Sequence, residues 1–310
     1  IDNEPPILKI ILQLPQMIAL YVGTSYAKDK YYHSKGLDWR KNNCISDVIH
    51  NYMVCQIAEV VYNKQLCSAY TALVAMNYIL PKLAWNIYIS ETNSISQRNI
   101  FDCVNQVVKM FGSEEYKSEI IENVLKPSDK LNIRSILFLL LDQLNLLDEF
   151  EKSNYWFTHQ NFFDFFLCKY WINCAEYSIE HHRKTCWNDN IVPTAVEKYF
   201  SETIGKQSPS DYDIINRYWN YHKKKSLAND DLSLFNLIRI MEQKYNWNLS
   251  HMDFSGLDLR KICLNGVTLS ENTQSAIFCN SSSNSSSLTT SFSSSTIAAR
   301  IAFILTRCSA

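Results

Sequence analysis

The chain has 310 residues, 46% hydrophobic and 20% charged, which is room for two or three modest domains with at least one real core. Lys and Arg total 30 against 31 Asp and Glu, a net charge of −1, which argues against a protein built mainly to neutralise nucleic-acid phosphates. Ten cysteines without a CxxC pair fit thiols buried on helical faces in a reducing cytosol.

The chain opens without Met and without a basic-then-apolar leader, the pattern expected of a stretch from the middle of a larger cytoplasmic protein. No apolar run reaches the roughly 18–20 residues needed to span a bilayer, so no membrane partner is expected. Residues 7–22 are apolar but interrupted by Pro15, which predicts a break or a first-turn position at Leu14 and Pro15. From 46 to 88 the spacing is helical, through Val48, Tyr52, Cys55 and Val61, then Leu73, Leu80, Leu83 and Ile87. Pro81 falls inside the second of these runs and is expected to kink or restart it. Ser94 to Ser96 form an N-cap region for a helix over 97–111, and Gly112 is its expected stop.

Two further helices are expected over 115–126 and 131–147, separated by Pro127, Ser128 and Asp129, with 136–147 reading as a core helix. Residues 154–158 are short, aromatic and β-prone. The stretch WFTHQNFFDFFLCKYWIN, 156–173, then opens a helix at His159 and Gln160. Phe162, Phe165, Phe166, Lys169 and Tyr170 recur at helical spacing along it, and the helix is expected to run to about His182. Residues 190–246 are again mostly helical but more polar, with turn signals at Gly205, Ser208 and Pro209.

Beyond that point the period changes. Leu249, Phe254, Leu259, Leu264 and Leu269 stand five residues apart, and Trp247, Met252, Leu257, Ile262 and Val267 lie two residues before them. A five-residue period fits neither helix nor flat strand, but it fits a square coil whose sides point their central residue inward. The five quintets WNLSH, MDFSG, LDLRK, ICLNG and VTLSE resemble the pentapeptide-repeat family. They make little more than one coil turn, so such a solenoid must lean on a neighbour. Residues 279–296 are Ser- and Asn-rich and are expected to be disordered. The abrupt loss of the quintets after Glu271 fits a natural tail, a shifted reading frame or a truncated gene equally well.

A phosphate-cradling P-loop needs GxxxxGK[ST], because glycines let backbone N–H groups approach the phosphates. Of the six glycines (23, 36, 112, 205, 256 and 266) only Gly205 precedes a lysine, without the upstream glycine or a following Ser or Thr. No Walker B strand is visible either, so no catalytic residue is assigned and the chain by itself is not expected to hydrolyse nucleotide. No G-x-S-x-G elbow or similar nucleophile setting occurs. Cys174, His181, His182 and Cys186 are zinc-ligand types, but their spacing matches no common structural site, and no metal is expected. Lys223, Lys224 and Lys225 read as a solvated helix end or, alternatively, a contact patch. The helix after His159 carries Lys169 as its only other basic residue to position 174, so nucleic-acid binding is not expected.

FTHQNFFDFF (157–166) resembles the F-x-H-Q-x-F-R-D-Y-F-A-A pattern that closes the winged-helix subdomain of NACHT-type STAND NTPases. Leu12, Pro15 and the residues between them are similar to that family's L-x-N-P-x-x-L element, with Leu14 where Asn is frequent. Taken in order, the resemblance covers roughly residues 7–271. It implies a mainly α fold: the end of the ATPase core (1–24), a helical lid (25–112), a winged-helix-like domain (113–185) and a helical connector (186–246). A short right-handed quadrilateral β-helix (247–271) and a disordered tail (272–310) complete the expected organisation.

By position, the resemblance makes His159 a hydrogen-bond donor to the β-phosphate of ADP and Pro15 an adenine contact. It makes Gln160 and Asp164 holders of the helix start, and Phe157, Phe162 and Phe166 its packing residues. Two departures stand out: Phe163 replaces the usual Arg, and Leu167 with Cys168 replaces an Ala pair. The implied function is a cytoplasmic signalling switch, ADP-held and ATP-released, with Mg in the parent ATPase and a role in prokaryotic antiphage defence. Its implied partners are the missing N-terminal NTPase core, proteins that dock at the repeat end, and further copies of itself on activation. The alternative reading is a nucleotide-independent helical interaction scaffold, in which His159 is a cap or core residue and Pro15 punctuates a helix.

Overall fold

A computed structural model describes residues 18–24, 26, 39, 45–112, 131–151, 153–204, 209–223 and 232–241. Pro15, the helix expected over 115–126, the repeat centres Leu249, Phe254, Leu259, Leu264 and Leu269, and the serine-rich tail lie outside the described residues. The chain divides into two compact units, Ile1–Asn173 and Cys174–Ala310. Among the described residues helix dominates both, and no helix is long and apolar enough to cross a membrane.

The first unit contains α1 (Ile45–Ala58), α2 (Ala69–Val74), α3 (Leu80–Ile89), α4 (Gln97–Gly112) and α5 (Ile133–Phe138). Three of these helices start on polar caps. Ser68 Oγ accepts from Thr71 N–H at 3.2 Å, and Ser96 Oγ accepts from Asn99 N–H at 3.2 Å. Asn132 Oδ1 accepts from Arg134 and Ser135 N–H at 2.9 and 3.3 Å. Each cap satisfies N–H groups that have no acceptor inside the helix.

Pro81 acts as the sequence suggests. The helix widens into a π turn over Ala75–Ile79, and α3 resumes with Pro81 in its first turn. A proline has no N–H for the carbonyl four residues back. That carbonyl, Asn77 O, instead accepts from Asn173 Nδ2 at 2.6 Å. α1 and α5 also leave through π turns, Glu59–Asn63 and Leu139–Gln143, closed by Lys64 N–H to Glu59 O (2.9 Å) and Leu144 N–H to Leu139 O (3.1 Å). A residue with positive φ follows each: Gln65 at 52° and Asn145 at 50°.

That exit corrects one expectation. The helix foreseen over 131–147 stops at the π turn, and Leu147 instead opens a strand, β2 (Leu147–Glu151). β2 forms a hairpin with β3 (Asn154–Phe157), with Ser153 at φ 70° in the turn and its N–H held by Glu149 Oε1 at 2.9 Å. A two-residue strand, β1 (Ile95–Ser96), pairs with the other side of β3, giving an antiparallel sheet of order β1-β3-β2. The strand expected near 154–158 is therefore the centre of a three-stranded sheet. Around it Leu80, Leu83, Ile100, Val104, Ile136, Leu140 and Phe166 are buried, each removing apolar surface worth roughly 1.5–3 kcal/mol from water.

α6 (Gln160–His181) is the longest described helix, and the boundary between the two units falls within it. It ends one residue before His182, which has φ 54°. The second unit adds α7 (Cys186–Asp189), α8 (Thr194–Ile204), α9 (Pro209–Lys223) and α10 (Ser233–Met241). Trp187, Val196, Phe200, Tyr218 and Leu237 are buried in it.

A buried polar network runs through this second core. Asn236, 0% exposed, accepts from Val192 N–H at 2.8 Å and donates to Trp187 O at 2.9 Å and Asn190 O at 2.8 Å. Asn188 accepts from Thr185 N–H at 2.7 Å and donates to Ser233 Oγ at 2.9 Å. The short α7 and the irregular backbone after it leave main-chain groups without helical partners, and these two amides supply them.

Candidate functional site

The site is the corner where β3 turns into α6. Thr158 fixes the corner by donating its N–H to Leu146 O at 3.0 Å, which ties the end of β3 to the entry of β2. The next residue, His159, precedes the helix. Its carbonyl accepts from Phe162 N–H at 3.0 Å and Phe163 N–H at 3.3 Å, so it closes the first turn. The remaining first-turn N–H groups have no acceptor within the helix and give this end its partial positive charge.

The His159 ring is half-buried and makes no side-chain hydrogen bond among the described residues. It lies on an aromatic wall. Its centroid is 5.4 Å from that of Phe162, and Phe162 in turn stacks on Tyr52 of α1 at 5.5 Å with only 10° between planes. Phe162 is 2% exposed, so its ring is fixed between the other two. Burial raises the Tyr52 hydroxyl above its usual 10.0, the neighbouring Cys55 adding to the effect, so the phenol stays neutral.

The residues expected to support this turn come together. Gln160 Nε2 donates to Asp164 Oδ1 at 2.7 Å, a one-turn pair that stiffens the helix start and keeps a carboxylate near its positive end. Phe157 and Phe166 are buried with centroids 5.7 Å apart, locking β3 to α6. The departures from the resembled pattern have structural places. Phe163 meets Phe157 edge-on at 5.8 Å, where an Arg would have no ring to offer. Leu167 and Cys168 are 1% and 0% exposed and fill core volume that an Ala pair would leave open.

Tyr52 was legible only as one apolar position on the face of α1. Nothing local in the sequence pairs it with a ring 110 positions later.

Chemically, a half-exposed imidazole beside a helix N-terminus suits one contact to an anionic oxygen, phosphate included. Among the described residues no group of three or more His, Cys, Asp or Glu could hold a metal ion. Cys67 and Cys103 are not nucleophile candidates, because burial pushes their thiols up to about 11 and about 12. No family model, curated protein or solved structure matches the chain.

Proposed function

We propose that this chain is the lid, winged-helix and repeat portion of a NACHT-type STAND NTPase, a nucleotide-dependent signalling switch that senses ADP through His159. The observation that carries the reading is the corner itself. A β-hairpin delivers a half-exposed histidine to the first turn of a long helix, with Gln160 and Asp164 paired behind it. The β2–β3 hairpin, lying between α5 and α6 where a wing would, supports the winged-helix part of the reading. The helices α1 to α4 suit the lid over 25–112.

In this mechanism His159 donates a hydrogen bond to the β-phosphate of ADP and favours the closed state. Phe162 and the Gln160–Asp164 pair hold the ring where that bond can form. Exchange for ATP changes the charge and position of the terminal phosphate, so the His159 contact weakens and the open, self-associating state gains population. Adenine contact by Pro15, Mg binding and hydrolysis belong to the parent ATPase core. The quintets centred on Leu249, Phe254, Leu259, Leu264 and Leu269 form the docking end for a protein partner, and antiphage defence in the cytoplasm is the proposed setting.

Thermal unfolding with millimolar ADP or AMP tests this. ADP is expected to raise the midpoint of the wild type, AMP is not, and His159→Ala is expected to abolish the ADP effect. No ADP effect on the wild type would favour the scaffold reading, and an equal ADP effect on wild type and His159→Ala would overturn the role given to His159.

A further inference from the structure

We propose that Tyr52 is a positioning residue for His159, so that the packing of α1 regulates the nucleotide contact; this rests on the nucleotide-sensing reading of His159. Three rings form a continuous path: Tyr52 on α1, Phe162 on α6 and His159 at the corner before it. The first contact is a near-parallel stack at 5.5 Å and 10°, and the second is a tilted contact at 5.4 Å and 44°.

The middle ring has little freedom. Phe162 is 2% exposed, and its N–H is bonded to the carbonyl of His159 at 3.0 Å. One residue therefore holds both the main chain and the ring face of His159. The face of Phe162 that Tyr52 covers decides which rotamer Phe162 keeps, because close-packed side chains move between discrete arrangements rather than deforming smoothly. A shift of α1 that unstacks Tyr52 releases Phe162, and the His159 ring loses the wall that aims it.

Coupling of this kind is reciprocal. A phosphate that fixes the His159 ring also strengthens the Tyr52 stack, and a lid helix held in place by another ligand or domain tightens the phosphate contact. α1 is thus the element through which events elsewhere in the lid reach the sensor. The hydroxyl of Tyr52 has no part in this; the aromatic face does.

The test uses the full chain with its His159 Hε1 resonance as reporter, assigned through His159→Ala. Tyr52→Phe keeps the ring, whereas Tyr52→Leu and the unbranched, more adaptable Tyr52→Met remove it. In nucleotide-free protein, Tyr52→Phe is expected to leave the His159 signal in place, and Tyr52→Met and Tyr52→Leu to displace it. With ADP titrated in, the ring-less variants are expected to need roughly five-fold or more ADP for the same response. Should Tyr52→Leu fail to fold, Tyr52→Met carries the test. A His159 signal unmoved in a folded ring-less variant would overturn the proposal, as would an equal displacement by Tyr52→Phe. Loss of every ADP response alongside an intact ring effect would overturn the nucleotide reading but leave the Tyr52 linkage standing.

Discussion

Asn236→Ala is the most informative single change in the second unit. Its amide makes three hydrogen bonds at 2.8, 2.9 and 2.8 Å, all to main-chain groups. Truncation leaves one buried donor, Val192 N–H, and two acceptors, Trp187 O and Asn190 O, without that partner. Each buried group left unsatisfied costs roughly 1–3 kcal/mol. The three losses do not add fully, because the two carbonyls neighbour one another and a water can enter the vacated space. About 3–5 kcal/mol is therefore expected, a large share of the roughly 5–15 kcal/mol that holds a domain together. Urea unfolding followed by near-UV signals from the tryptophans would give the difference. Amide exchange would localise it: Val192 N–H should be protected in the wild type and exchange far faster in the variant. A cost under about 1 kcal/mol with Val192 still protected would refute the claim that Asn236 holds this backbone in place.

Three further outcomes are expected. Gln65→Gly should stabilise the first unit by about 0.5–1 kcal/mol in denaturant unfolding, because Gln65 sits at φ 52° where a side chain is strained. Ser96→Ala should cost about 1 kcal/mol in the same assay, through loss of its cap bond to Asn99 N–H. Burial raises the Cys103 thiol from its ordinary 9.0 to about 12, so the neutral thiol is the form the folded state prefers. That contribution is complete below pH 9 and is lost as pH rises toward 12; Cys103→Ala should flatten the alkaline decline in unfolding midpoint.

Much of the helical scaffold could be read from the sequence because its signals are local. The Ser96 cap, the restart at Pro81 and the end of α6 near His182 each depend on residues within a turn of the event. Of the sheet, β3 alone could be read this way, from the aromatic β-prone run at 154–158. β1 is only Ile95 and Ser96, too short for alternation to register, and its strand character comes from pairing with Tyr155 and Asn154. β2 was hidden because the leucine-rich run 136–147 fits a helix up to its end, and the break depends on Asn145 adopting positive φ. At the site, the helix opening at His159 and Gln160 was legible from spacing, whereas the roles of Gln160 and Asp164 at its start came from the family resemblance. The Tyr52 stack was not legible, since tertiary packing selects it, and the Asn188–Asn236 network was not, since polar residues in a helical pattern ordinarily face water.

The central claim is that His159 touches the β-phosphate of ADP. The most direct measurement follows the histidine Hε1 resonances of the full chain as ADP, and separately AMP, is added to several millimolar. The His159 signal is expected to move in a saturable way with ADP and to stay in place with AMP, while His181 and His182 at the far end of α6 do not respond. An unmoved His159 signal, or the same movement with AMP, would contradict it.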